Sequence, residues 1–350
     1  MSANSKNTQF RVAFTADFFD STGKPKYHDV GMSIFDQEPR IEMIPLREFH
    51  PVILPQQLLG MHAAVVMDVS VDAKSVSDSK ELVAIARFGV GYNDIDVQAC
   101  TAADVVFFNA AGGVDRSMAE ATVGWMIALS HYFRTKDILV RAGDWDLAPN
   151  YVGYELRDHT FGSIGMGGIA RATIKLLQGF GMAPPIAYDP YVDATVANEL
   201  GVRMVPLEEL MREADFVSIH CPLNDKTRNL VGGKELALMK LEAYLLNTAR
   251  GGIVNEDALF KALQERRIGG AALDVFVGEP FDKPHRFASL DNVLLAPHSI
   301  GHTHEIFRDM GQVACKGVLD VATGQRPKHV INPEVLGKPS FQDKWRRLRL

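Results

Sequence analysis

The sequence predicts an α/β protein in which helices cover doubly wound parallel sheets, divided into two domains. Three observations predict it. Short apolar runs alternate with longer segments of helical period, the spacing of βαβ units that bury a parallel sheet between helices. A chain of 350 residues is too long for one ordinary core, at roughly one domain per 150 residues. A glycine-rich turn beginning at Gly165 follows one apolar run, opens a helical one, and is answered by Asp189 at the end of the next run.

Taken in order, strand-like runs fall at 11–15, 63–67, 82–87, 105–109, 160–164, 186–188, 216–220, 243–247, 270–274 and 293–296. Helical stretches lie at 120–138, 169–179, 194–200, 207–213, 233–239 and 255–265. The last is marked locally: Asn255 is a natural N-cap, and Glu256 and Asp257 put acids in the first turn, where the helix dipole favours them. Pro184 and Pro185 cannot donate to a ladder, so the strand at 186–188 begins after them. The Gly-rich stretch 109–114 and the strand end at Pro297 mark two boundaries. They predict a discontinuous first domain, 1–112 with 300–350, and a second domain, 113–299. The tail 338–350 reads as a surface segment.

Composition excludes several classes. The hydrophobic fraction of 47% and charged fraction of 23% are those of ordinary globular protein. The formal charge is −6, and no basic run exceeds Arg266-Arg267 or Arg346-Arg347, which argues against nucleic acid as the main ligand. Three scattered cysteines make no disulfide framework. Residues 1–9 are polar and unlike a secretory signal, and no apolar run is long enough to span a membrane. A reduced, cytoplasmic setting is the expectation.

The turn Gly165-Met166-Gly167-Gly168-Ile169-Ala170 has the residue types that dinucleotide binding needs. Gly165 permits the tight strand-to-helix turn, Gly167 lets a pyrophosphate approach the backbone, and Ala170 lets the helix lie close to the strand. The pyrophosphate would sit on free N–H groups at the positive helix end. Asp189, 24 residues past Gly165, is placed to accept both ribose hydroxyls. No Arg or Lys follows in Pro190-Tyr191-Val192-Asp193, and a carboxylate repels a 2′-phosphate, so NAD is expected rather than NADP.

Arg250, Glu279 and His298 each sit just past an apolar run, where parallel α/β sheets gather their ligand sites. Taken singly they read as a surface cation, a loop acid and a loop histidine. Together with other segments they carry a resemblance. Those segments are Gly89-Val90-Gly91-Tyr92, Arg116-Ser117-Met118-Ala119-Glu120, the Gly165 turn, His220-Cys221-Pro222-Leu223, Asn247-Thr248-Ala249-Arg250-Gly251-Gly252, Ala272-Leu273-Asp274-Val275-Phe276 and Pro297-His298. Over about 82–301 the chain resembles the D-isomer-specific 2-hydroxyacid dehydrogenases.

The resemblance implies a nicotinamide cofactor in a cleft between two Rossmann-like domains, a homodimer, and hydride transfer between NAD(H) and a small 2-hydroxy or 2-oxo acid. Arg250 would grip the substrate carboxylate with two parallel N–H donors and polarise the oxo group. His298 would be the acid for the carbonyl oxygen, or the base in reverse. Glu279 would hold the other imidazole nitrogen and favour the imidazolium. Gly89, Val90 and Gly91 would present backbone to the carboxylate. Gly165, Gly167, Gly168, Ile169, Asp189, Cys221, Pro222, Thr248, Ala249, Asp274, His298 and Gly301 would line the cofactor, Asp274 holding the nicotinamide amide. Cys221 as a redox thiol is the rival to its role as pocket liner.

The chain departs from the family pattern in three places: Gly168 replaces a larger polar residue, Asn93-Asp94 reverses the usual order, and His302 and His304 follow His298. A metal held by those three histidines is not expected, because positions 302 and 304 would face different sides of a helix. Where phosphoglycerate dehydrogenases carry Arg after the third strand, this chain has Asp68 and Ser70 in 66–71. With about fifty residues after His298, no appended regulatory domain is expected either. These features predict an unphosphorylated acid of the glyoxylate, hydroxypyruvate or sugar-acid type. The competing readings are an NAD(H)-sensing, corepressor-like interaction protein on the same fold, and another dinucleotide-binding enzyme that would need a Tyr-x-x-x-Lys pair, which is not expected here.

Overall fold

The computed structural model describes residues 9–350, so all but the last residue of the polar amino-terminal stretch lies outside the described residues. The chain forms two compact units. One runs up to Val114 and resumes over Thr303–Leu350; the other is Asp115–His302.

The first unit opens with β1 (Phe10–Phe14), β2 (Ile41–Pro45), β3 (Ala63–Val66), β4 (Ala84–Arg87) and β5 (Val106–Asn109), and helices α1 (Ala73–Val76) and α2 (Val97–Ala102). Its strands are all parallel, in the order β2-β1-β3-β4-β5. β3 is Ala-Ala-Val-Val and wholly buried, because a central parallel strand is covered on both faces and shows no alternation. β2, at the edge, is half exposed and carries no clear period, so the sequence reading missed it.

The second unit contains α3 (Asp115–Ser130), α4 (Phe133–Ala142), β6 (Phe161–Ile164), α5 (Gly168–Leu177), β7 (Ile186–Tyr188), α6 (Ala194–Glu199) and β8 (Arg203–Met204). It continues through α7 (Leu207–Glu213), β9 (Phe216–Ile219), α8 (Gly233–Leu236), β10 (Tyr244–Asn247), α9 (Glu256–Gln264), β11 (Gly270–Leu273) and β12 (Val293–Leu295). The seven strands are parallel in the order β12-β11-β10-β9-β6-β7-β8. From β6 the chain winds outward to β8, then returns to β9 and winds the other way. The strand order therefore reverses between β6 and β9, the place where such sheets bind ligands. β6, β9, β10 and β11 are buried along their whole length, which fixes where each carboxyl end emerges.

The chain then returns to the first unit as α10 (His304–Ala322) and α11 (Pro339–Leu348). Two expectations need correction. The stretch 120–138 is not one helix: α3 ends at Ser130, whose carbonyl accepts the Tyr154 N–H at 2.9 Å, and Tyr132 turns left-handed at φ 57° before α4. The apolar period runs on across the break, so it did not show in the sequence. The tail is not a surface segment. Phe341, Trp345 and Leu348, spaced i, i+4, i+7, are buried, and the Trp345 indole N–H donates to the Val321 carbonyl at 2.7 Å. Each such side chain adds about 1.5–3 kcal/mol of burial. Lys344 is buried too, its ammonium donating to the Ala103 and Asp104 carbonyls, and burial pulls its pKa down to about 8.

Candidate active site

β6 delivers the glycine turn. Gly165 has φ +100°, and a Cβ there would lie 2.7 Å from the His220 carbonyl carbon in the loop after β9, so both conformation and space demand glycine. Its N–H donates to the Tyr188 carbonyl at 2.8 Å, joining the ends of β6 and β7. Gly167 begins α5 with no side-chain cap, and a Cβ there would meet nothing within 4 Å. The space beside Gly167 is thus open, while the Asp115 carboxylate stands against Gly168 at the same helix start. Ala170 is fully buried under the turn, and Ile169 is partly so. A Cβ on Gly168 would lie 2.6 Å from the carboxyl carbon of Asp115, which accounts for glycine where a larger side chain is usual.

Asp189 follows β7, its carboxylate accepting the Met166 N–H from the glycine turn and the Tyr191 N–H, both at 2.9 Å. Cys221 and Pro222 follow β9. Burial pushes the Cys221 thiol up to about 11, which leaves little thiolate at neutral pH and speaks against the redox reading. At the end of β10 the Thr248 hydroxyl oxygen is buried without a hydrogen-bond partner. The uncapped helix start, the open face at Gly167 and this orphaned hydroxyl fit a bound dinucleotide, with Asp189 at the second strand's tip.

The polar set stands on the neighbouring strands. Asn247, ending β10, shapes the next turn: its Oδ1 accepts the Ala249 N–H at 3.1 Å and its Nδ2 donates to the Arg250 carbonyl at 2.9 Å. Arg250 Nη1 donates to the Ala249 carbonyl at 2.7 Å. Asp274, the residue after β11, is 2% exposed. Its carbonyl accepts the His298 N–H at 2.8 Å, and its Oδ1 accepts the Ser299 and Ile300 N–H groups at 2.8 and 3.1 Å. His298 has φ +53°, a left-handed conformation costing about 1–2 kcal/mol for a residue with a Cβ. Asp274 holds that turn. Burial raises the Asp274 carboxyl above the usual range, against the hydrogen bonds from Ser299 and Ile300.

Glu279 Oε1 lies 2.5 Å from His298 Nδ1, and its Oε2 accepts the Phe276 N–H at 2.9 Å. Burial works to raise this carboxyl, but the His298 hydrogen bond and charge, the Phe276 bond and the Arg250 charge outweigh it, and Glu279 ionises below the ordinary range. Nδ1 is committed to the carboxylate, which leaves Nε2 for proton exchange.

Arg250, Glu279 and His298 are therefore brought together. With them at the carboxyl ends of the same sheet stand Gly165, Gly167, Gly168, Asp189, Cys221, Pro222, Thr248, Ala249, Asp274 and Gly301. Gly89, Val90 and Gly91 belong to the other unit, in the turn after β4, where Ala110 N–H donates to the Gly89 carbonyl and Asn109 Nδ2 to the Val90 carbonyl. The sequence reading passed over Arg87 at the end of β4, which lies 3.9 Å from Asp68 in the same unit. The Tyr-x-x-x-Lys spacing does occur, as Tyr132 and Lys136, but Tyr132 bonds to Tyr244 at the amino-terminal end of β10 and Lys136 is exposed. That is the end of the sheet opposite the glycine turn.

Among the described residues no group of three His, Cys, Asp or Glu side chains is placed to hold a metal ion. No helix among them is long and apolar enough to cross a membrane.

Comparison with known proteins agrees with this geometry. The family model for the D-isomer specific 2-hydroxyacid dehydrogenase NAD binding domain matches residues 123–299. A glyoxylate reductase of Korarchaeum cryptofilum is 35% identical over 277 residues, covering 78% of this chain and 83% of that protein. A D-3-phosphoglycerate dehydrogenase of Methanocaldococcus jannaschii is 38% identical over 269 residues, 75% of this chain but 51% of that protein, so the match spans about half of its length. Among solved structures, the D-isomer specific 2-hydroxyacid dehydrogenase of Lactobacillus delbrueckii ssp. bulgaricus in its NAD complexed form superposes with a TM-score of 0.75 at 25% identity, covering 92% of this chain and 100% of that one.

Proposed function

The chain belongs to the D-isomer specific 2-hydroxyacid dehydrogenase family and is thereby an NAD-linked oxidoreductase of small 2-hydroxy or 2-oxo acids; from that premise we propose that Arg250, Glu279 and His298 carry the reaction. The observation that carries the reading is the 2.5 Å contact of Glu279 with His298 Nδ1, with the Arg250 charge acting on the same carboxylate.

When bound, the nicotinamide supplies the hydride for the carbonyl carbon. His298 gives a proton from Nε2 to the carbonyl oxygen, or takes one from the hydroxyl in the opposite direction. Glu279 fixes the ring through Nδ1. Arg250 pairs with the substrate carboxylate through two N–H donors and draws charge from the oxo group. In the first unit, Gly89, Val90 and Gly91 are proposed to offer backbone to a substrate carboxylate. Gly165, Gly167, Gly168 and Ile169 receive the pyrophosphate, Asp189 the ribose, and Cys221, Pro222, Thr248, Ala249, Asp274 and Gly301 the remainder. A carboxylate at Asp189 favours NAD over NADP.

For the substrate, the reading is an unphosphorylated acid of the glyoxylate, hydroxypyruvate or sugar-acid type. Asp68 lies 3.9 Å from Arg87 in the first unit, and a carboxylate at that place works against a phosphate. The units are assigned a substrate-binding role (the first) and a dinucleotide-binding role (the second). A homodimer is proposed through 133–152, which exposes Phe133, Ile138, Val140, Trp145, Leu147 and Val152. Three free cysteines suit a reducing, cytoplasmic setting.

NADH consumption against a panel of 2-oxo acids tests the reading. Turnover is expected with glyoxylate or hydroxypyruvate, and well below that with 3-phosphohydroxypyruvate. Preference for the phosphorylated acid would overturn the substrate class. NADH binding without turnover on any acid would instead favour the sensor.

A further inference from the structure

Glu279 stands on a loop, yet it must hold an imidazole to a few tenths of an ångström. Something has to fix that loop. Between β11 and β12 it runs through Phe276, Val277 and Glu279 to His285, and Glu279 spends one oxygen on the Phe276 N–H. The adjoining Val277 N–H is taken from outside the loop by Glu256 Oε1 at 2.7 Å. Glu256 is the first residue of α9 and its side chain is 16% exposed, unusually buried for a glutamate at a helix start. Its second oxygen, Oε2, lies 3.6 Å from His285 Nε2. The His285 ring packs among Phe276, Phe281 and Phe287 with centroids 4.9, 4.9 and 5.1 Å away. One carboxylate therefore touches both limbs of the loop, with Glu279 between them.

The same helix start is reached from Arg250 through five residues, and Gly251 lies under the loop. A Cβ at Gly251 would overlap the Phe276 carbonyl and lie 2.6 Å from the Val277 nitrogen. The Arg250 turn and the Glu279 loop are thus pressed together at the backbone that Glu256 holds.

We propose that Glu256 is a positioning residue for the reaction: by accepting the Val277 N–H and facing His285, it fixes the loop that presents Glu279 to His298. The proposal rests on the role given to Glu279 above. It needs the acceptor oxygen of Glu256 rather than its charge, so glutamine should replace it and alanine should not.

The test is a double-mutant cycle on the full chain. Glu256→Ala, Glu256→Gln, Glu279→Ala and Glu256→Ala/Glu279→Ala are compared by kcat and KM for glyoxylate and by NADH affinity from fluorescence. Glu256→Ala is expected to lower kcat about tenfold with KM and NADH affinity within about twofold. Glu256→Gln keeps at least half of kcat. In the Glu279→Ala background, Glu256→Ala lowers kcat further by less than about twofold. Wild-type kcat in Glu256→Ala, or an equal fall in both backgrounds, would overturn the proposal. Equal losses in the alanine and glutamine variants would do so too, and the glutamine variant keeps the test decisive if the alanine variant fails to fold. If Glu279→Ala alone left kcat unchanged, the reading of Glu279 would fall instead, a result separable from the other outcomes.

Discussion

The two halves of the seven-stranded sheet make their sites by opposite means. At β6 and β7 the proposed site is backbone: a glycine turn in which Gly165 fits against the His220 backbone and Gly167 borders open space. At β10 to β12 it is side chain: Arg250 on a turn tied by Asn247, His298 on a turn tied by Asp274, and Glu279 on a loop tied through the Phe276 and Val277 N–H groups. A phosphate can be met by any row of N–H groups at a helix end, so its site asks chiefly for space. A proton transfer has to be aimed, so its site asks for bonds behind every reacting group.

That contrast can be broken from the side-chain half first. Arg250→Lys keeps the charge and loses the fork, so kcat/KM should fall roughly a hundredfold, with Arg250→Ala falling further. Near-complete rescue by Lys in steady-state assays would mean that charge alone suffices. The backbone half is sharpened by two alanines. Gly165→Ala forces a Cβ into the His220 backbone at positive φ and should destabilise by about 1–3 kcal/mol in a thermal melt. Gly167→Ala meets open space and should melt near wild type while weakening NADH binding. Equal melting losses would refute the distinction.

The smallest effect concerns acid. Glu279 ionises below its ordinary 4.5, so its contribution to stability is present above that value and is lost as pH falls through the depressed one. The stability advantage of wild type over Glu279→Gln, followed by denaturant titration, should therefore hold at neutral pH and shrink below about pH 4.5. An advantage that grew on acidification would reverse the assigned sign.

What the sequence made legible divides along the same line. The glycine turn, Asp189 and the strands flanking them are local signals, and the family segments tied them to Arg250, Glu279 and His298. The work of Glu256 and the hold of Asp274 on the His298 turn were not legible, because Val277 and Ile300 become their partners only in the fold. Asn255-Glu256-Asp257 looked like an ordinary helix start. The break at Tyr132 hid inside a continuous apolar period. The tail misled for another reason: Arg346 and Arg347 drew attention from the i, i+4, i+7 spacing of Phe341, Trp345 and Leu348.

The most direct measurement is the kinetic split of His298→Ala with NADH and glyoxylate. A proton donor held by Glu279 and Asp274 predicts kcat lower by about 10²–10⁴-fold, with glyoxylate KM and NADH affinity changed only a few-fold. An unchanged kcat, or a loss confined to NADH affinity, would contradict it.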